Sequence, residues 1–331
     1  MDFQLSDDQR ALRSGMRDLL GAVFDRDRLR AAVERGGTLD RSLWRELGAA
    51  GFFALRLPEE AGGVGLGLPE AVLLFEEAGR ALLPGPLAAT HLAAGLVEGA
   101  AEGEAVVTAV DGDLPVAHLA EADAVLVGSD ALVGEPLRAF VAGARPVRSM
   151  DPLTPLHRVE GRAAAPEAYP GAFLYEGALL TAAEQLGSAV RTTEAAVQHA
   201  GDREQFGSPI GSFQAVKHLC ADMLARTEPA RAAVYAAAVT GDPVEIAAAK
   251  LLADEAAVRN ARDCLQIHGG MGFTWEADVH LHLKRAWLRS ASRLTGAAAE
   301  ELLAAGLGAA RPRPGSPAAP GGGGSGAGGG G

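Results

Sequence analysis

Two stretches of the C-terminal half determine the fold: Arg203-Glu-Gln-Phe-Gly-Ser-Pro-Ile-Gly-Ser-Phe-Gln-Ala-Val-Lys-His218 and Gln266-Ile-His-Gly-Gly-Met-Gly-Phe-Thr-Trp275. Each places a basic or amide side chain beside glycines, between segments with helical periodicity. Arginine binds phosphate oxygens through paired, charged hydrogen bonds, and glycine lets the backbone approach a ligand closely. The two stretches therefore predict a site for the pyrophosphate of a flavin dinucleotide, and a redox flavoprotein is the first hypothesis.

The segments around these stretches have the apolar periodicity of helices that pack on one another. Three predicted helices carry the apolar series Leu179, Ala183, Leu186, Val190 and Val197; Phe213, Val216, Cys220 and Met223; and Val244, Leu251, Val258 and Leu265. A fourth helix is predicted over residues 279–294. Such faces predict a C-terminal four-helix bundle over residues 177–311.

The N-terminal segment, residues 1–100, is predicted to be a helical domain. Ser6, which two aspartates follow, is a favourable helix N-cap, and Leu12 and Met16 follow it at helical spacing. Glycines and prolines predict a loop over residues 58–69, after which a helix resumes over 70–82.

Residues 101–176 change character. Short β-prone runs at 105–110, 124–127 and 156–159 predict a reduced middle β domain. The last segment, residues 312–331, consists mainly of glycine, proline and alanine and is predicted to be a disordered tail. The predicted fold class is therefore α+β and mostly α.

Composition disfavours several functions. The chain has 331 residues, and its 30 Lys and Arg against 42 Asp and Glu give a net charge of −12 without a basic block, which disfavours nucleic acid as a partner. No apolar run reaches the roughly 18 residues of a membrane span, and a cytoplasmic protein is expected. Cys220 and Cys264 are expected to be buried thiols. His268, His280 and His282 have no third ligand type near them in the sequence, which disfavours a metal site.

The blocks at residues 203–223 and 266–275 resemble the two signatures of the acyl-CoA dehydrogenase family, and residues 43–52 and 58–63 resemble its N-terminal pattern. The resemblance extends to about residue 295. It implies FAD as cofactor, acyl-CoA thioesters as substrates, removal of hydrogens from the carbons α and β to the thioester, and an electron-transferring flavoprotein as acceptor. It also implies a role in lipid metabolism, in fatty acid or steroid degradation.

The resemblance assigns a set of residues to the flavin: Arg203, Phe206, Gln214, Gln266, Gly269 and Gly270. The guanidinium and the glycine amides suit the pyrophosphate, and Phe206 suits the adenine side. In the family these positions serve a flavin held mainly by the neighbouring subunit, so the resemblance implies at least a dimer. Two alternatives remain open, namely that Arg203 is a surface ion-pair residue and that the glycines only end a helix.

The catalytic base is harder to find. In the family a glutamate at one of two positions removes the α proton. The first position falls near Arg293, in a stretch without a carboxylate, and the second falls near Gly177, one residue from Glu176. An offset of one residue turns a helical side chain by about 100°. Glu176 is therefore the candidate base, whereas Glu184 is predicted to be a solvated helix residue.

The β domain also departs from the family. Residues 107–115 stand where the family has a longer loop that contacts flavin and substrate. The short chain, the missing base and this trimmed loop resemble the shorter subunit of actinobacterial α2β2 acyl-CoA dehydrogenases that act on steroid side chains, in which a longer homologous subunit supplies the base. A homo-oligomeric dehydrogenase with Glu176 as base, and a non-catalytic structural subunit, are the alternatives.

Overall fold

A computed structural model describes residues 4–128, 130–159 and 171–310 of the protein. The predicted tail at 312–331 and residues 160–170 of the predicted β domain lie outside the described residues. The α-helices are α1 Asp7–Val23, α2 Arg26–Glu34, α3 Arg41–Ala49, α4 Leu68–Arg80, α5 Leu87–Ala93, α6 Gly134–Ala142, α7 Gly171–Asp202, α8 Gln214–Thr240, α9 Pro243–His268, α10 Val279–Ser290 and α11 Gly296–Ala310. The strands are β1 Val107–Ala109, β2 Val116–Ala117, β3 Ala124–Val127, β4 Asp130–Leu132, β5 Ala144–Val147, β6 Leu156–Val159, β7 Glu204–Gln205 and β8 Ser208–Pro209.

The first helix begins where the sequence predicts it. The Ser6 hydroxyl accepts a hydrogen bond from the amide of Gln9 at 3.1 Å, and the Gln9 side chain accepts one from the amide of Ser6 at 3.1 Å. This capping box satisfies two amides that have no partner inside the helix. Met16 lies buried on the inner face of α1, so the predicted N-cap and apolar face are confirmed.

The N-terminal helices enclose an aromatic core that positions α4. Trp44, Phe52 and Phe75 are fully buried, and the rings of Phe52 and Phe75 lie 5.1 Å apart. Helix α4 begins two residues before the predicted start because Pro69 fits the first helical turn, where no amide donor is needed.

The middle of the chain forms two small sheets, with strand orders β1-β3-β4 and β2-β6-β5. Strands β1 and β3 are parallel, and the other pairs within these sheets are antiparallel. The predicted β-prone runs contain β1, β3 and β6. The sequence pattern missed β4, β5 and α6, because these elements are short and largely solvent-exposed and so lack a clear apolar alternation.

The C-terminal helices form the bundle, with α7 packed between α4 and α9. Helix α7 begins at Gly171, inside the stretch that the sequence assigns to the β domain. The predicted fourth helix is shorter than expected: α10 ends at Ser290, and a further helix, α11, follows it. Val197 is exposed although it was predicted to be on the apolar face. The α+β, mostly helical fold class is confirmed.

In the described part of the chain, no helix combines the length and the apolar character needed to cross a bilayer.

Candidate active site and cofactor surface

The structure brings the two glycine-containing stretches to one end of the bundle. Helix α7 ends one residue before Arg203, and α9 ends one residue before Gly269. The rings of His199 and His268 stack with their centroids 4.1 Å apart, which holds these two helix ends side by side. The same small apolar cluster, which includes Met223 and Cys264, lies beneath both stretches. Two segments about sixty residues apart in the chain thus form one surface.

We call this surface the cofactor surface and define it by the side chains and glycines predicted to contact flavin. All of its members are solvent-exposed: Arg203, Phe206, Gln214, Gln266, Gly269 and Gly270. Phe206 is 94% exposed, and its ring forms a T-shaped contact with the ring of Phe213, at 6.1 Å between centroids. An apolar ring in this position is available to pack against a flat ligand or a partner chain.

The polar groups of the cofactor surface are available to a ligand. Among the described residues, the Arg203 guanidinium has no hydrogen-bond or ion-pair partner, so nothing there supports a surface ion pair. Gly269 caps the C-terminus of α9 with φ +60°, a conformation that favours glycine. A Cβ at Gly269 or Gly270 would meet no atom within 4 Å. The helix-ending role and close approach by a ligand are therefore compatible, and the donor set fits a phosphate-bearing aromatic group.

A cavity of about 180 Å³ lies between α5, the two sheets, α7 and α10, away from the cofactor surface. Its lining includes Asp111 and Leu114, from the stretch that stands in place of the family's longer loop. Pockets for drug-sized ligands have roughly 300–1,000 Å³. The cavity is therefore too small for a whole flavin dinucleotide.

The cavity wall from α7 carries Glu184, which the structure places in the interior. The carboxylate of Glu184 is buried and accepts a hydrogen bond from the Arg289 guanidinium on α10. Burial raises the pKa of Glu184, although the charge of Arg289 opposes the shift, and burial also lowers the pKa of Arg289 to about 10. The prediction of a solvated helix residue was wrong, because position 184 lies on the face of α7 that packs against α4 and α10.

Two buried arginines on α10 were not anticipated. Arg285 donates from Nε to the buried carboxylate of Asp151 and from Nη1 to the Leu83 carbonyl at 3.1 Å. Arg289 lies one helical turn further on. Their spacing could have predicted their burial, because Arg285 and Arg289 follow the fully buried Leu281 at intervals of four residues and so lie on the same face of the helix.

Arg293 and Gly177, the two positions near which the resemblance predicts the base, are neighbours in the structure, and Arg293 lines this cavity. Arg293 has φ +55°, and its amide donates a hydrogen bond to the Asp111 carboxylate. A Cβ on Gly177 would lie only 3.1 Å from Cζ of Arg293, so that guanidinium covers Gly177. Neither position carries a carboxylate.

Glu176 lies elsewhere. Its carboxylate accepts a hydrogen bond from Arg56 at 2.6 Å and does not line the cavity. Its role as a base stays a prediction, because its place in an ion pair does not test whether it removes a proton.

Of the cysteines and histidines considered in the sequence, Cys264, His280 and His282 are buried, whereas Cys220 and His268 are partly exposed. Cys264 is fully buried, and burial raises its pKa to about 12, whereas Cys220 is half-buried. His282 is buried next to the Ser188 hydroxyl, at 2.8 Å, and burial lowers its pKa to about 3. The described residues contain no group of three or more side chains arranged to hold a metal ion.

Comparisons with known proteins agree with this architecture. The family model "Acyl-CoA dehydrogenase, N-terminal domain" matches residues 6–102, and "Acyl-CoA dehydrogenase, C-terminal domain" matches residues 168–298. The chain is 37% identical to the acyl-CoA dehydrogenase IpdE2 of Mycobacterium tuberculosis, over 85% of this chain and 91% of the relative. It is 36% identical to the acyl-CoA dehydrogenase FadE34 of the same organism, over 78% of this chain but only 42% of the relative.

A solved structure gives the same result for the fold. A variant of the Tcur3481-Tcur3483 steroid ACAD superimposes with a TM-score of 0.78 at 26% identity, covering 92% of this chain and 99% of that chain. Because both family models match and the likeness to IpdE2 extends over most of both chains, the chain belongs to the acyl-CoA dehydrogenase family of oxidoreductases.

Proposed function

We propose that this chain is one subunit of a hetero-oligomeric, FAD-dependent acyl-CoA dehydrogenase and that it helps to hold the FAD of a longer homologous partner. The observation that carries the proposal is the separation of two features. The cofactor surface is exposed and fits a dinucleotide, whereas the chain's own cavity is small and has an arginine where the family has its base.

On the cofactor surface each group has a defined task. The Arg203 guanidinium would bind pyrophosphate oxygens, the amides of Gly269 and Gly270 would approach the same group, and the Phe206 ring would pack on the adenine side. Apolar side chains beside them, Phe273 and Trp275, are also exposed. An exposed apolar patch of this kind is typical of a protein interface, which supports a flavin held between two subunits.

The chemistry explains why a partner is needed. Dehydrogenation removes a proton from the α-carbon and a hydride from the β-carbon, and bound FAD supplies the acceptor for the hydride. The proton needs a base, but the guanidinium of Arg293 cannot accept one. Of the carboxylates that line the cavity, Glu184 is bound to Arg289 and Asp111 accepts the amide of Arg293. The base is therefore assigned to the partner.

The relatives support an arrangement in two parts. More than half of FadE34 lies outside its match to this chain, so that relative joins a unit of this kind to a second, larger portion. The name of the Tcur3481-Tcur3483 steroid ACAD joins two proteins, which supports an enzyme made of two different chains. By analogy we assign acyl-CoA thioesters of the steroid-degradation type as the substrate class, and an electron-transferring flavoprotein as the acceptor.

The alternative is a homo-oligomeric dehydrogenase in which Glu176 is the base. The position of Glu176 near the start of the long helix α7 favours this alternative, and its ion pair with Arg56 opposes it. Replacing Glu176→Gln removes the proton acceptor but keeps a hydrogen-bonding side chain. Unchanged turnover of the assembled enzyme would exclude Glu176 as the base.

The proposed function is tested by producing the chain alone and together with any longer homologue that is encoded beside it. Flavin per chain and oligomeric mass are then measured. We expect little flavin on the isolated chain and flavin in the mixed complex. A stoichiometric flavin on the isolated chain, together with oxidation of acyl-CoA in the absence of a partner, would contradict the proposal.

A variant of the cofactor surface sharpens the test. Loss of a charged hydrogen bond costs about 1.5–3 kcal/mol, so Arg203→Gln should weaken FAD binding by the complex roughly 10- to 100-fold. Arg259→Gln is the matched control, because Arg259 is an exposed arginine on α9 that pairs only with Glu255 among the described residues. The control should bind FAD like the unmodified complex.

A further inference from the structure

We propose that the cavity beside α10 is a binding site for the carboxylate group of a small organic ligand. We call it the arginine cavity, after Arg285, Arg289 and Arg293, which all line it. The proposal does not depend on the proposed function, because it concerns a site separate from the cofactor surface and needs no flavin.

The wall of the arginine cavity holds donors that no described group satisfies. Nη2 of Arg285 and Nη1 of Arg289 are buried donors without a hydrogen-bond partner among the described residues. Arg285 is 3% exposed and Arg289 is 8% exposed. Buried polar groups are nearly always hydrogen-bonded, so two unsatisfied guanidinium nitrogens on residues that line one cavity indicate that an acceptor belongs there.

The charges around the cavity select the kind of acceptor. Arg285 and Arg289 are neutralised by Asp151 and Glu184. Asp111, which also lines the cavity, accepts a hydrogen bond from the backbone amide of Arg293. The Arg293 guanidinium has no hydrogen-bond or ion-pair partner within the described ranges, and its planar fork matches a carboxylate in a bidentate geometry.

Size and apolar lining restrict the rest of the ligand. The volume of about 180 Å³ is close to that of engineered apolar cavities of roughly 150 Å³ that take up benzene. Leu114, Leu156 and Leu288 supply apolar walls. A suitable ligand therefore has a carboxylate and a compact apolar body, about as large as benzoate. It is either a free acid or the carboxylate-bearing end of an acyl thioester.

Binding is measured on the full-length chain with benzoate as the probe and benzamide as the uncharged isostere, by isothermal titration calorimetry and thermal unfolding. We expect saturable benzoate binding in the millimolar range, about 4 kcal/mol or tighter, with a rise in Tm. Benzamide should bind at least about tenfold more weakly, because it lacks the charge that pairs with the guanidinium.

The matched variants locate the site. Arg293→Gln should lower benzoate affinity at least about tenfold and leave the Tm of the free protein unchanged, since this side chain has no described polar partner. Arg293→Lys keeps the positive charge but loses the planar guanidinium that binds a carboxylate through two hydrogen bonds, so it should give an intermediate benzoate affinity. Arg138→Gln, at an exposed arginine on α6, should bind like the wild type.

Competition distinguishes the two sources of the carboxylate. Displacement of benzoate by succinyl-CoA but not by butyryl-CoA would identify the thioester end, and displacement by neither would identify a free acid. The proposal is overturned if benzoate does not bind up to about 20 mM, if benzamide binds equally well, or if Arg293→Gln binds like the wild type. None of these outcomes depends on flavin, so they leave the proposed function to its own test.

Discussion

Helices α4 and α7 approach each other so closely that a single added methyl group should destabilise the protein. A Cβ on Gly187 would lie 2.7 Å from the amide nitrogen of Arg80 and still closer to the carbonyl oxygen of Glu76. A Cβ on Gly79, on the facing helix, would lie 2.5 Å from the carbonyl carbon of Glu184. Non-bonded carbon atoms pack at about 3.5–4.0 Å, so Gly187→Ala would force the helices apart by about 1 Å.

The magnitude follows from two opposing terms. Overpacking costs about 1–3 kcal/mol, and a clash with helix backbone lies at the upper end because no change of rotamer relieves it. Alanine in place of glycine inside a helix recovers about 1 kcal/mol. We therefore expect Gly187→Ala to lower the free energy of unfolding by about 2 kcal/mol, measured by urea denaturation followed by circular dichroism.

Two glycines without neighbours provide the control. A Cβ at Gly201, also on α7, or at Gly15, in the middle of α1, would meet no atom within 4 Å. Each alanine variant should be unchanged or more stable, by up to about 1 kcal/mol. If Gly187→Ala unfolds within about 0.5 kcal/mol of the wild type, or if the control variants lose as much as it does, close packing of α4 against α7 is refuted.

Three further predictions concern stability. Asp151→Ala leaves the Arg285 guanidinium buried without its carboxylate and should cost about 3–5 kcal/mol of unfolding free energy, so a loss below about 1 kcal/mol would contradict the buried pair. The pKa of His282 is about 3 in the folded protein and 6.5 for the unperturbed side chain, so between pH 3 and pH 6.5 the unfolded chain binds a proton at this residue that the folded protein does not bind. The contribution of His282 to the free energy of unfolding should therefore be fully present above pH 6.5 and decrease as the pH falls, by about 2 kcal/mol at pH 5. His282→Gln should reduce the slope of the unfolding free energy against pH. Ser6→Ala removes the N-cap of α1 and should cost about 1 kcal/mol in the same denaturation assay, whereas Ser6→Asp should retain the stability.

Local pattern determined much of the fold from the sequence. The N-cap at Ser6, the long helices of the bundle and the β-prone runs follow from residue type and spacing within a few turns, which are properties of the chain itself. The two glycine-containing stretches likewise predict a ligand surface without knowledge of its partners. The same patterns failed for the exposed strands β4 and β5, where solvent leaves no apolar alternation to detect.

The tertiary structure alone decided which charged residues are buried and which positions meet. Glu184 has the local sequence of a solvated helix residue, but α7 turns it toward Arg289, which is 105 residues away. Gly177 and Arg293, both identified by counting along the chain, prove to be neighbours, with the guanidinium of one covering the other. Local periodicity carries no information on contacts between distant segments, because these arise only when the packed helices exclude water. The sequence by itself therefore determined the family resemblance, the candidate flavin residues and the absence of a base at two positions, and the structure determined the arginine cavity.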